Sequence, residues 1–288
     1  MHTLLRWAAR RPLWLLHGLG FVLGWAGYIL SPTYRQRLRA NAKLAGLSVP
    51  DRRRSVAEAG KLVMELPRLW LRPPHEPMAD PVQWDGEALM EQMLAHPRGL
   101  VVLTPHMGSF EVTAQAYAER YGARQPMTAL YRPARQAWLR ELEETARARP
   151  ALATAPATLA GVRQLLRALK RGETVGMLPD QVPPEGMGVW STFFGQRAYT
   201  MTLVARLLRQ SGAVVCVVWT ERLPSGKGYG VHVLPLAVPL PHVEGDNKAD
   251  DDADALAINQ SMEAVIRQQP SQYLWGYHRY KAPRKLPA

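Results

Sequence analysis

The chain has 288 residues, of which 47% are hydrophobic and 21% charged, enough for one large α/β domain with a sizeable core or for two small ones. Its one cysteine, Cys216, excludes a disulfide framework and a cysteine-based metal site. Most of the net charge of +12 is N-terminal: residues 1–61 carry eleven Lys/Arg against Asp51 and Glu58.

A basic surplus suits nucleic acid, anionic lipid or phosphorylated ligands alike. Its neighbour in the sequence decides between them. Pro12 to Leu30, PLWLLHGLGFVLGWAGYIL, carries no formal charge beyond a possible one on His17. At about 1.5 Å per residue it is just long enough to cross a hydrocarbon core of about 30 Å. It is long for the apolar part of a signal peptide, and no cleavage site follows it. It reads as a membrane span or an interfacial anchor, with a buried helix of a soluble protein as the alternative. Basic clusters flank it on both sides, so the positive-inside rule gives no orientation. Arg35, Arg37, Arg39 and Lys43 suit anionic headgroups, or else form a solvated helix face. Residues 1–33 are therefore expected to form a membrane anchor and 34–288 the main folded domain, with lipid rather than nucleic acid as the partner.

Two helices follow, TYRQRLRANAKLAGL closing at Gly46 and PDRRRSVAEAGKLVMELPRLWL opening at Pro50 and Asp51. Arg72 to Trp84 is Pro-rich and reads as loop. The pattern then alternates. GEALMEQMLAHPRG is a helix, LVVLT a strand, SFEVTAQAYAERYG a helix, QPMTALYRP a strand and RQAWLRELEETARARP a charged helix. TLAGVRQLLRALKRGE is a helix and TVGMLPDQ a strand, followed by a long loop to about Thr202. YTMTLVARLLRQSG is a helix, AVVCVVWTERL a strand, GYGVHVLPLAVPL a strand pair or one long strand, and the acidic stretch after Glu244 runs from loop into helix. Short apolar strands alternating with helices predict an α/β fold, a largely parallel sheet covered by helices on both faces.

In such sheets ligands bind beyond the carboxyl ends of the strands. Three ends deliver polar residues to one edge: His106 after LVVLT, Arg132 after MTALY, and Asp180 with Gln181 after TVGMLP. Glu111 follows His106 by five positions. The same spacing recurs at His75 and Asp80, where neither residue follows a strand or opens a helix, so spacing alone decides nothing. On one continuous helix residues five apart point about 140° away from each other. A His106–Glu111 pair therefore needs a bend, which Gly108 and Ser109 supply, the latter as a favoured N-cap. Glu111 then lies in the first helical turn, where a carboxylate is stabilised as the anion. Such a carboxylate beside an imidazole makes a two-part base that activates a hydroxyl. A loop histidine bonded to backbone is the alternative for His106, and a metal site of His106, Glu111 and Asp180 the rival chemistry, against the usual His and Cys ligands of zinc. Phe193 and Phe194 in the loop either pack on the core or line an acyl channel.

Several stretches in chain order resemble one family. They are HMGSFE with its His-x4-Glu box, YRP at Tyr131 to Pro133, LPDQ at Leu178 to Gln181, FFG at Phe193 to Gly195 with Thr200 after it, and the closing QQPSQYLWGYHRYK. Together they are similar to the late, or secondary, acyltransferases of lipid A biosynthesis in Gram-negative bacteria, within the wider glycerolipid acyltransferase group. Ser109 and Phe110 stand where the family often has Asn and Trp, and WGYHRY at Trp275 to Tyr280 departs from the usual ending. The resemblance implies direct acyl transfer with no cofactor and no metal. His106, oriented by Glu111, deprotonates an acceptor hydroxyl that attacks an acyl thioester, typically on acyl carrier protein. The acceptor is a lipid A precursor or related glycolipid, and the place the cytoplasmic face of the inner membrane. Arg132 pairs with an acceptor phosphate or the developing charge, or else forms an ion pair with Asp180 or Glu111. Asp180 holds Arg132 or its loop, and Gln181 and Arg279 add substrate contacts. A non-enzymatic basic binding protein and a metal-dependent esterase are the competing readings.

Overall fold

The computed structural model describes residues 2–132, 136, 149–241 and 251–285. At its centre is a seven-stranded sheet built from β1 (Val82–Asp85), β2 (Leu100–Leu103), β3 (Met127–Tyr131), β4 (Leu152–Pro156), β5 (Thr174–Met177), β8 (Val214–Arg222) and β9 (Tyr229–Leu234). The spatial order is β1-β9-β8-β2-β5-β3-β4. Every neighbouring pair is parallel except β8 and β9, which are antiparallel and joined through a tight turn at Pro224–Gly226.

All four residues of β2 and of β5 are buried, because helices cover both faces. Val101 and Leu103 point into one core and Leu100 and Val102 into the other, as the two-residue repeat of a strand requires. The first core is closed by α3 (Pro32–Leu44), α7 (Leu159–Lys170), α8 (Leu203–Ser211) and α9 (Asp251–Gln268), which contribute Leu38, Leu165, Val204 and Ile258. The second is closed by α5 (Glu87–Leu94) and α6 (Phe110–Tyr121), through Met90 and Tyr117. The expected α/β class with a largely parallel, doubly covered sheet is the observed one.

Three expectations need correction. The stretch read as loop up to Trp84 contains edge strand β1, and a further strand, β4, precedes α7. The long loop after β5 holds an antiparallel hairpin, β6 (Gly188–Phe193) and β7 (Gln196–Met201), outside the main sheet. The segment Tyr199 to Met201, expected at the start of a helix, is therefore strand, and α8 begins at Leu203. The charged helix expected after Arg132 lies almost wholly outside the described residues.

The apolar run forms α2 (Leu13–Leu30), after a short α1 (His2–Ala9). It packs lengthwise on α4 (Val49–Trp70) instead of standing clear of the domain. Arg11 O accepts from Arg68, His17 meets Glu65, Gly20 lies on Gly60 and Lys61, and Gly24 on Val56, so the two helices run antiparallel. A Cβ at Gly20, Gly24 or Gly60 would collide with the opposing backbone, so glycine is what permits this approach.

Candidate active site

β2 and β5 are parallel neighbours in register, Leu103 opposite Met177. His106 and Asp180 each lie three residues further on, so the chains deliver them to the same height above the sheet edge. The Asp180 carboxylate accepts from the His106 backbone N–H at 2.9 Å through Oδ2 and from the ring Nδ1 at 2.7 Å through Oδ1. Asp180 is buried. Burial raises its pKa, but the charge of His106, its two N–H bonds and Arg279 outweigh that and hold the carboxyl below its ordinary value. An ionised Asp180 keeps the proton on Nδ1 and leaves the lone pair on Nε2. The Gln181 amide nitrogen sits 2.8 Å from Nε2 and donates to it, in keeping with that tautomer.

Asp180 thus bonds the imidazole directly, a part for which Glu111 was the expected partner. Glu111 stands in the first turn of α6 as expected, and its Oε2 accepts from the Trp70 indole at 3.3 Å. Phe110, between them in the chain, meets the His106 ring edge-on with centroids 5.0 Å apart. The sequence marks the common placement of the two residues, though not the bond between them. LTPH after β2 and MLPD after β5 repeat one pattern, a strand end, one residue, a proline and a polar group.

The bend between His106 and α6 is held from several sides. Gly108 has φ +57°, and a Cβ there would strike Thr220 O. Its N–H donates to Gln272 O and the next N–H, of Ser109, to Thr220 O. Ser109 occupies the N-cap position but makes no side-chain cap bond; its hydroxyl donates to Glu65 Oε1 at 2.7 Å. Arg222, buried at the end of β8, donates to Gly108 O, to both oxygens of Glu65 and to Glu58. Glu65 also meets His17 at 3.4 Å. Burial raises Glu65, but Arg222 and His17 override it and keep its pKa below the ordinary value. No sequence signal separated Glu65 and Arg222 from surface charges, since their partners lie far away in the chain.

A pocket of about 170 Å³ opens over this centre, lined by His106, Asp180 and Gln181 together with Tyr34, Ala59 and Tyr277. Arg132 follows β3 directly, at the same sheet edge, and is exposed. Arg279 is placed differently from the expected phosphate contact. It is 2% exposed and donates to Tyr199 O, Thr200 and Asn259, clamping the β6–β7 hairpin to α9. Phe193 and Phe194 belong to the core. Among the described residues no group of three His, Cys, Asp or Glu side chains is arranged to hold a metal ion.

A histidine held by a buried carboxylate at the wall of a pocket is an arrangement that suits general-base chemistry. The chain matches the family described as "Bacterial lipid A biosynthesis acyltransferase" over residues 26–282. The chain belongs to that family. It is an acyltransferase. Among its relatives, the lipid A biosynthesis lauroyltransferase of Escherichia coli (strain K12) is 27% identical over 250 residues, 84% of this chain and 77% of the relative. The palmitoleoyltransferase of lipid A biosynthesis from the same organism is 29% identical over 64% of this chain, which spans 56% of that relative's length. A lipid A biosynthesis acyltransferase 2 of Shigella flexneri is 23% identical over 87% of the chain and 78% of the relative. The matched range begins within α2, so the family match takes in the last part of the apolar helix as well as HMGSFE and LPDQ.

Proposed function

We propose that the chain is a membrane-associated O-acyltransferase that moves a fatty acyl group from an acyl thioester to a hydroxyl of a lipid A precursor or related glycolipid. Residues 1–33 contact the membrane and 34–288 carry the chemistry, at the cytoplasmic face of the inner membrane. The observation that carries this reading is the Asp180–His106 pair at the wall of the pocket.

The acceptor hydroxyl takes the place of the Gln181 amide at Nε2 and gives up its proton there while its oxygen attacks the thioester carbonyl. Asp180 stabilises the imidazolium that forms. The tetrahedral intermediate collapses, the C–S bond breaks, and the proton on Nε2 passes to the leaving thiolate. The products are an ester and a free thiol, and His106 is restored. Arg132, at the same sheet edge, answers the developing negative charge or an acceptor phosphate. Glu111 completes the box at the start of α6, fixing that turn against Trp70. A net charge of +12 suits acyl carrier protein, an acidic donor.

The test is acyl transfer by the full chain in detergent, with acyl carrier protein thioester and a lipid A precursor. His106→Ala is expected to lower the rate by about 100- to 10,000-fold while remaining folded. Full activity in His106→Ala would overturn the mechanism, and no transfer to any glycolipid hydroxyl by the wild type would overturn the acceptor.

A further inference from the structure

α2 passes by length and composition as a membrane-crossing helix, with a mean hydropathy of 1.6. Its packing argues against crossing. One stripe, Leu13, Leu16, His17, Gly20 and Gly24, is buried against the domain. Those contacts follow α4 from Arg68 back to Val56, with backbones touching at the glycines and His17 paired to buried Glu65. At the far end Tyr28 is tied to α3, its hydroxyl accepting from Arg39 and its carbonyl from Arg35. To cross a bilayer α2 would have to leave this bed and strand Glu65, or carry α4 with Arg52, Arg53, Arg54, Glu58 and Lys61 into hydrocarbon.

The other side of α2 is apolar and open. Trp14 is 62% exposed, Val22 64% and Leu30 80%, with Phe21 and Ile29 beside them. On α1, Trp7 is exposed too. Exposed Arg6, Arg10, Arg37, Arg39 and Lys43 flank this surface, and no acidic residue occurs before Asp51. An apolar face between cations, with tryptophans among its residues, matches the boundary of an anionic leaflet. Tyr34, four residues beyond Leu30, lines the pocket over His106.

We propose that α1 and α2 dock the enzyme monotopically: α2 lies in the plane of one anionic leaflet, its open face among the acyl chains and its glycine stripe on α4, and does not span the bilayer. A glycolipid held in that leaflet then reaches the pocket sideways, past Tyr34, without leaving the membrane. This rests on the membrane reading above and deepens it.

Cysteines placed singly at Arg10 and at Lys43, on either side of α2, report the arrangement in the full chain with Cys216 replaced by Ala. In inverted inner-membrane vesicles a membrane-impermeant thiol reagent is expected to label both, and in intact spheroplasts neither. Labelling of Arg10→Cys only in spheroplasts, with Lys43→Cys only in inverted vesicles, would show a span and sink the proposal while leaving the acyltransferase reading intact. A second measurement uses purified protein and phosphatidylethanolamine vesicles with and without phosphatidylglycerol. Binding should require the anionic lipid, weaken with salt, and fall at least about tenfold in the double variant Phe21→Glu, Val22→Glu. No binding by the wild type to either vesicle would defeat the membrane reading as a whole. A stable dimer of the free chain that the same double variant dissociates would assign the face to a second copy instead. Acyl transfer in detergent, measured in parallel, is independent of all these outcomes.

Discussion

The geometry at His106 makes Asp180 the residue on which the tautomer of the proposed base depends. Asp180→Asn keeps the size but replaces one oxygen with an N–H donor. With the remaining oxygen taken by the His106 backbone N–H, the amide faces Nδ1 as a donor and moves the ring proton to Nε2, removing the base. Activity should fall by up to about 10,000-fold, the scale for a histidine held in the wrong tautomer. Glu111→Gln leaves the Asp180 and Gln181 bonds of the imidazole in place. ¹⁵N spectra of the labelled imidazole separate the two variants: the tautomer should change in Asp180→Asn and stay in Glu111→Gln, and the reverse result would return Glu111 to the orienting role. Each of these side chains was legible in the sequence as a polar group at a strand end. The bond between them was not, because it depends on the register of β2 and β5, and neither strand carries a sequence mark of which neighbour it will pair with. Arg279 was misread for a related reason, since a charged residue in a polar ending gives no sign that the β6–β7 hairpin will bury it. A further residue-scale expectation concerns Cys216, which is fully buried in β8 and whose thiol burial pushes up to about 12. A neutral-pH thiol reagent should leave it unmodified in the native chain and modify it only as fast as the chain unfolds.

At the level of elements, the ion network of Glu58, Glu65 and Arg222 joins α4, β8 and the loop that presents His106. Removing one partner leaves a buried charge uncompensated, so Glu65→Ala should cost about 3–5 kcal/mol in denaturant unfolding. A loss under about 1 kcal/mol would mean that water already reaches Arg222. The pH dependence has a defined sign. The folded-state pKa values of Glu65 and Asp180 are both depressed, so their stabilisation is full above the unfolded carboxylate values of about 4 and is lost as pH falls through the lower folded values. Stability should therefore drop below about pH 4, less steeply in Glu65→Gln, which has one such carboxylate fewer. Which elements were readable follows from the same physics of burial. β2, β5 and β8 are buried on both faces and stand out as apolar runs, and the long helices declare themselves by period and cap. β1 alternates half-buried with exposed at the sheet edge, β4 is mostly small residues, and among the described residues β6 and β7 pair only with each other, so none presents an apolar run.

Across the whole molecule, the apolar helix has an open face and a buried face, and the roles proposed for them, lipid contact and support of the loop after His106, can be separated. Leu13 and Leu16 belong to the buried face, and His17 reaches Glu65, which in turn holds Ser109 in the loop after His106. Deleting residues 1–33 would open a trench along α4, expose Gly20's partners at Gly60 and Lys61, and leave the Glu65–Arg222 network in contact with water. Detergent can replace a bilayer for solubility, but it cannot replace the stripe on α4 that positions the loop. The deletion is therefore expected to lose acyl transfer in detergent by about 100-fold or more, the scale on which catalysis responds to a misplacement of about 1 Å. The double variant Phe21→Glu, Val22→Glu changes only the open face and should keep its activity on detergent-dispersed acceptor while losing activity on acceptor embedded in vesicles. If the deleted chain instead worked in detergent as well as the full one, α2 would be a detachable anchor, and the glycine-lined contact with α4 would have no part in holding His106.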